Sequence, residues 1–555
     1  MMPVSEIKAR VAEVRLRLVT LMDQNGKETA FDGVQLLNPD SYTILGALIR
    51  STYTLYRTAE GKKKAWLCSA LRRFFDWTRD DPCKTWGKMS LLSVLCAMKE
   101  RGELSLLSED LLACLREKTD FRDFYDVREK KLLGPTAANY VHVAASCAKR
   151  RALLGWESEE TVSAITEHLL RTVSSCGEGG FLDDEPGEGR YDSYSFMVAR
   201  HLPAQCEETG IPIPSTALES LTTAARTMLT MANKRGDGFV YGRSLSVYGD
   251  LSPAGVFASA MKYKLLTEEE TELAYAYILA LFDKICRFWY DEARGIFNIW
   301  FDGRSTDGYR EVHRLLETNL DVCDSLEAVL EVLQETSLAH RAPKAEIPAP
   351  KHWRTHRICF LDDPDKRAEL IILRREDTLV MLPLIGGGSI SAFSAYSPFP
   401  AVAGVLEAAP QSQEPFLIPE YRKDGVAHRP IRFYSRIEVH EEEDKVTVTA
   451  AGHIAAVGTY PTCPTRTVHT FLTTYVFEGN CVSVRFETDM PYDSLRMRTA
   501  ETVRAAQIRA FGFEEEHVLP LGTKDTLAPH GAYTYVKEHT SHAHAAVGWA
   551  AVLPK

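Results

Sequence analysis

The chain has 555 residues, 45% hydrophobic and 25% charged, a balance that excludes a disordered or low-complexity protein. Single hydrophobic cores stop growing at about 250–300 residues, so two large domains are expected. With 65 Lys and Arg against 76 Asp and Glu the net charge is −11, which repels phosphate backbones and argues against a nucleic-acid partner.

From Met1 to about Ala339 apolar residues recur at three- and four-residue spacing, the signature of amphipathic helices. Twelve segments carry it: Ser5–Met22, Ser41–Thr58, Lys64–Thr78, Leu91–Glu100, Glu109–Lys118, Thr136–Leu154, Glu159–Ser174, Ser193–Glu208, Thr216–Asn233, Pro253–Tyr263, Glu268–Tyr290 and Val312–Glu335. Paired in order they make six helical hairpins, and a closed ring of hairpins would surround a central cavity. Two connectors, Gly177 to Asp192 and Arg235 to Leu251, are long and rich in Gly, Asp, Tyr and Arg. Long loops in a compact domain are more often functional than short ones.

The stretch Arg341–Trp353 holds Pro343, Pro348 and Pro350, disfavours helix and reads as an extended linker. Beyond it the pattern changes to alternation at period two. AELIILRR, TLVMLPLI, IRFYSRIEV, DKVTVTAAG, RTVHTFLTTYVFEG and NCVSVRFET are strand-like, separated by turns such as Glu478-Gly479-Asn480. The expected architecture is an (α/α) toroid over residues 1–340, a linker over 341–353 and an antiparallel β-sandwich over 354–555.

The twelve cysteines include no Cys-x-x-Cys pair, so neither a zinc ribbon nor a redox motif is read from them, and reduced core thiols are expected. The N-terminal MMPVSEIKARVAEVRLRLVTL lacks a signal-peptide apolar run, and the longest apolar stretch, Leu273 to Phe282, is about half a membrane span. No Asn-x-Ser/Thr acceptor occurs. A cytoplasmic protein with no membrane partner is the expectation, and the sequence leaves a homo-oligomer open.

There is no phosphate-binding G-x-x-x-x-G-K-[ST] loop, G-x-S-x-G elbow or H-E-x-x-H helix. Gly386-Gly387-Gly388 follows a strand but precedes strand-like sequence, which disfavours a dinucleotide site. His530, His539, His542 and His544 could ligate a metal, but solvated polar residues near a terminus explain them as well, so no metal or cofactor is expected. Glu441-Glu442-Glu443-Asp444 reads as a solvated turn.

Three polar stretches are harder to explain as structure alone. GGFLDDEPGEGRYDSYSF ends with Arg190, Tyr191, Asp192, Ser193 and Tyr194 at a helix start; GDGFVYGRSLSVYGDLSP carries Tyr241, Arg243, Ser244, Tyr248 and Asp250; and IWFDGRSTDGYREVHRLLETNLD carries Trp300, Arg304, Tyr309, Arg310, His313, Glu317 and Asn319. Sugar sites need this mixture, because aromatic faces stack on pyranose rings and carboxyl groups perform acid and base steps. Arginine forks match a carboxylate, so Arg243 and Arg310 suggest an acidic sugar such as a uronate. Plainer roles compete: Asp192 and Asp250 could simply cap helices, His313 and Glu317 could be a surface pair, and Tyr194 and Tyr248 could be core residues.

The segment YGRSLSVYGDLSPAGVFASAM, with ANYVHVAAS, GRYDSYSF and FSAYSPFPAVAG, resembles the landmarks of the family termed domain of unknown function 2264. Proteins of that kind are similar in layout to toroid-plus-sandwich carbohydrate enzymes, among them heparinase II/III-like lyases and the β-glucuronidases of glycoside hydrolase family 154. The resemblance implies cleavage of a glycan at or beside a uronic acid. Val247 and the added Gly249-Asp250 depart from the family block.

The expected activity is therefore a glycoside hydrolase that removes a terminal uronic acid, such as β-glucuronic acid, from an oligosaccharide. Asp192 and Asp250 would be its acid/base pair, with Glu317 in reserve. Arg190, Arg243, Ser244, Arg310, Trp300, Asn319 and Asn139 would bind substrate. On the same scaffold a polysaccharide lyase would use His313 or a tyrosine as base and Tyr194 or Tyr248 as acid, and a non-catalytic glycan-binding protein is the third alternative.

Overall fold

The computed structural model describes residues 4–37, 44–134, 137–208, 210–302, 311–406, 413–459, 461–502, 507–519 and 533–553. Among them are twelve α-helices: α1 (Val4–Asn25), α2 (Ile44–Thr58), α3 (Gly61–Trp77), α4 (Thr85–Glu100), α5 (Glu109–Lys118), α6 (Asn139–Leu154), α7 (Glu159–Ser174), α8 (Met197–Glu208), α9 (Ser215–Met231), α10 (Val247–Lys262), α11 (Glu268–Lys284) and α12 (Leu315–Glu335). The even-numbered helices pack in succession, α2 on α4, α4 on α6, α6 on α8, α8 on α10, α10 on α12 and α12 back on α2, closing an inner ring. The odd-numbered helices lie outside it. Sequence follows position: α2 buries residues all around its circumference, Ile44 to Ile49 without a break, while outer α7 buries only Val162, Ile165, Leu169 and Val173 at helical spacing.

Helix α10 begins six residues before the Pro253 expected to start it. Proline in a helix leaves the carbonyl four residues back without its usual donor. That carbonyl belongs to Gly249, and it accepts a hydrogen bond from the Phe239 amide at 3.0 Å, so the helix runs through the proline. At the other extreme α11 stops at Lys284 and passes into one π-helical turn, Ile285–Trp289.

The stretch after His340 is coil, and it is pinned to both halves. The Lys344 amide donates to Glu272 on α11, Arg374 donates to the Pro348 carbonyl, and Trp353 Nε1 donates to the Gly479 carbonyl at 3.0 Å. Two antiparallel sheets follow. Four strands, Ala401–Val402, Thr378–Leu384, Ala368–Arg375 and Arg354–Leu361, pair in that order. The second sheet has ten strands, with a central run of Glu420–Lys423, Val426–Glu441, Lys445–Val457, Thr465–Glu478 and Cys481–Thr488. Strand Ala368–Arg375 is buried on both faces and correspondingly reads as unbroken apolar sequence, whereas Lys445–Val457 alternates buried and half-buried residues, as a one-sided strand should. One apolar cluster runs from α1 through both sheets to Leu553.

The twelve cysteines are all free thiols. No helix among the described residues is long and apolar enough to cross a membrane. Gly386-Gly387-Gly388 leads not to a phosphate-binding helix but into a contact with the first long loop, where the Gly387 amide donates to the Gly189 carbonyl. Of the C-terminal histidines, His539 bonds Thr499 in the sheet, His542 contacts the Asp493 carbonyl and His544 packs on Tyr492, while His530 lies outside the described residues. No group that could hold a metal ion occurs among the described residues.

Candidate active site

All six inner helices, the turn Ser193–Phe196 and the second long loop contribute walls to one cavity of about 360 Å³, within the range of ligand sites. Trp86 and Tyr140 bring aromatic surface from α4 and the start of α6, with ring centroids 6.4 Å apart. Tyr194 and Tyr248 bring hydroxyls, α8 brings Arg200 and His201, and α12 brings Glu317, Asp321 and Asp324. The last three are spaced by four and three residues, which places them on one helix face.

The loop residues are held by a buried lattice of charges. Asp184 accepts from Asn139 Nδ2 at 2.9 Å, from the Asn139 amide at 3.1 Å and from Arg243. Arg243 Nε lies 3.1 Å from Asp192, and its guanidinium stacks 4.1 Å over the Tyr194 ring. The Tyr194 hydroxyl bonds the Ser244 hydroxyl at 2.8 Å. Burial acts to lower the Arg243 pKa, but Asp184 and Asp192 outweigh it and hold the pKa well above its ordinary value.

The β-half completes this lattice. Tyr396 donates its hydroxyl to Asp192, and the Gly242 amide donates to the Ala395 carbonyl at 2.7 Å. Burial first, and then the Asp192 charge, push the Tyr396 hydroxyl pKa up. Gly242 has φ +87°, and a Cβ there would fall 2.7 Å from the Asp192 Cβ. Ser244 and Ser246 have φ of +52° and +63°, unfavourable for residues with a side chain and typical of backbone held in place by its surroundings at functional sites.

Of the residues singled out in the sequence, Asn139, Ser193, Tyr194, Arg243, Ser244, Tyr248 and Glu317 converge on the cavity. Others do not line it. Asp192 is fully buried beneath the wall, where it caps the turn Ser193–Phe196 and orients Arg243. Asp250, expected as its acid/base partner, accepts from the Gly238 amide, from Lys284 and from Trp289 Nε1 at 2.9 Å, all inside the protein. Packing demand explains both: an aspartate at a helix start is the nearest acceptor for buried donors. Asn319 ties Phe297 to α12 through its amide and carbonyl, and Arg190 pairs with Glu185. His313 is half-buried 3.6 Å from Glu311, and Trp300 is half-buried against the core. Arg304, Tyr309 and Arg310 lie outside the described residues.

Arg50, Trp86, Tyr140, Arg200, His201, Arg314, Asp321 and Asp324 also line the cavity and were not expected. A signal existed for some of them. Arg200 and His201 interrupt an otherwise apolar run in α8, and Arg50 does so in α2, where every neighbouring face is buried. His201 stacks on buried His142 at 5.4 Å. Burial, then Arg150, pulls His142 down to about 3, and burial, then Arg200, holds His201 well below its ordinary value. Both imidazoles are therefore neutral at physiological pH, and His201 presents an unprotonated imidazole to the cavity.

No family model and no curated protein matches the chain. Solved structures do. The chondroitin AC lyase of Streptomyces coelicolor A3, solved with chondroitin sulphate, superposes with a TM-score of 0.52 at 11% identity, covering 98% of this chain and 79% of that one. Heparinase III gives 0.44 at 12% identity over 98% and 85%, and a possible GH105-family member from Klebsiella pneumoniae gives 0.41 at 12% over 61% and 94%. At such identities the likeness is one of fold: this chain is an α/α toroid joined to antiparallel β-sheets, sharing the fold of the Streptomyces chondroitin AC lyase.

Proposed function

We propose that the protein is a glycan-processing enzyme that takes a uronate-containing oligosaccharide into the toroid cavity and cleaves it there. The observation that carries this reading is the convergence of an aromatic pair, two tyrosine hydroxyls, a neutral histidine and four arginines on one cavity enclosed by the inner ring. β-Elimination suits these groups best. A cation against the substrate carboxylate would acidify the C5 proton, His201 or a tyrosinate would remove it, and the C4–O bond would break as a tyrosine hydroxyl, Tyr194 or Tyr248, protonates the departing oxygen. The electron pair of the C5–H bond becomes the C4–C5 double bond.

Hydrolytic release of a terminal uronic acid is the second reading, favoured by the carboxylates of Glu317, Asp321 and Asp324 on one face of α12. Arg314 pairs with Glu317, while Arg50 pairs with Asp321 and Asp324. Each of these carboxylates is thus already engaged by an arginine, whereas a glycosidase needs two carboxyl groups free to act on one glycosidic bond. The fold likeness to a chondroitin AC lyase is compatible with either chemistry on the scaffold.

The test is an assay on glucuronate- and galacturonate-containing oligosaccharides, read by near-ultraviolet absorbance and by reducing-end release. Elimination produces both signals, and hydrolysis only the second. His201→Gln is expected to lower kcat about 100-fold or more for elimination. Absence of both signals across these oligosaccharides would overturn the reading.

A further inference from the structure

Four arginines line the cavity, and three are neutralised: Arg50 by Asp321 and Asp324, Arg243 by Asp184 and Asp192, and Arg314 by Glu317. The fourth, Arg200, has no carboxylate and no hydrogen-bond acceptor for its guanidinium among the described residues. It is seated against α10 at Gly255, where a Cβ would fall 2.2 Å from the guanidinium carbon and 2.4 and 2.5 Å from Nη1 and Nε. Gly255 is mid-helix, where glycine costs about 1 kcal/mol relative to alanine, and its backbone does not need glycine's freedom. What the missing side chain provides is room for this cation.

Burial draws the Arg200 guanidinium down to about 10, which still leaves it charged at neutral pH. A partly buried guanidinium on a cavity wall without a counter-charge is unfavourable, and an anionic ligand would relieve it. Its planar fork presents two parallel N–H donors, the geometry that a carboxylate accepts bidentately. The adjacent His201 is neutral and adds no second positive charge.

We infer that Arg200, seated on Gly255, is the subsite that receives the acid group of the sugar, a uronate carboxylate. This deepens the glycan reading above and rests on it. Arg243, whose charge is already spent on Asp184 and Asp192, then acts as a positioning residue for Tyr194.

The test measures binding of free glucuronate, glucose, glucose 6-sulfate and inorganic sulfate to the full chain and two variants. Wild type is expected to bind glucuronate at least about tenfold more tightly than glucose, as a charge-assisted bidentate pair implies. Arg200→Gln should abolish that preference without lowering the denaturation midpoint, because no partner is orphaned. Gly255→Ala retains the charge but displaces it, and should weaken glucuronate binding while the helix stays intact. Retained preference in Arg200→Gln, equal binding of glucuronate and glucose by wild type, or no binding of any of the four probes would overturn the inference. Preference for glucose 6-sulfate, lost in Arg200→Gln, would keep the anion seat and overturn its assignment to a carboxylate. If only inorganic sulfate binds, and Arg200→Gln loses it, the anion seat stands while the glycan reading falls.

Discussion

Two clusters of acidic residues show how the same side chains acquire opposite roles. Behind the second long loop, Asp237 and Asp250 enclose Lys284, whose ammonium lies 2.8 Å from each, and Trp289, the Gly238 amide, Asn233 and Arg235 bond the same two carboxylates. On α12, Glu317, Asp321 and Asp324 also pair with cations but line the cavity. The first cluster is closed, and its hydrogen-bonding capacity is spent on the protein; the second keeps one side open to a ligand. Residue type and charge do not distinguish them. Enclosure does, and it follows from which side of the inner ring each residue meets.

Removing one carboxylate from the closed cluster should have the largest effect. Asp250→Ala leaves Lys284 with half its counter-charge and orphans the Trp289 N–H, so unfolding free energy should fall by about 3–5 kcal/mol, read from urea denaturation. A loss under about 1 kcal/mol would mean that water reaches the cluster.

A second measurement uses the histidine pair at the boundary between closed and open regions. The folded pKa of His142, about 3, lies below the unfolded value near 6.5, so the unfolded chain binds more protons between these pH values and stability rises with pH there. Acidifying from pH 6.5 toward 4.5 should therefore reduce stability, by up to about 1.4 kcal/mol per pH unit from each buried histidine. His142→Gln should flatten the slope whatever its effect on absolute stability. Asp237, whose pKa is lowered by Lys284 and Arg235 against the burial that raises it, adds stability present above its unfolded value and lost at more acidic pH.

The smallest effect is expected at His313, one of the bases that the sequence offers for the lyase alternative. It is half-buried beside exposed Glu311 and does not line the cavity, so His313→Ala should change stability by no more than about 0.5 kcal/mol and leave turnover on uronide oligosaccharides unaltered. A large loss of turnover would place His313 in the chemistry after all.

Much of the fold is legible because it follows local rules. Glu109–Lys118 and Glu159–Ser174 are helices with the bounds their periodicity predicts, and Ala368–Arg375 is the strand AELIILRR. The start of α10 is not legible, since it depends on Phe239, fourteen residues before Pro253, satisfying a carbonyl that the proline leaves open. The site is legible only in part. Tyr194, Arg243, Ser244 and Tyr248 stand out as clustered polar residues in long loops, but Arg200, His201 and Arg50 are single polar residues in apolar helices, where a satisfied core residue and a cavity-facing one look alike.

Spacing along the chain by itself determines twelve helices, a proline-containing connection and antiparallel strands, because helix and strand periodicity act over a few residues. Which polar groups meet was decided only when the inner ring closed. Burial, counter-charge and the room left by Gly255 or Gly242 are relations between segments far apart in sequence, and these relations separate Asp250, sealed on Lys284, from Arg200, facing the cavity without a counter-charge.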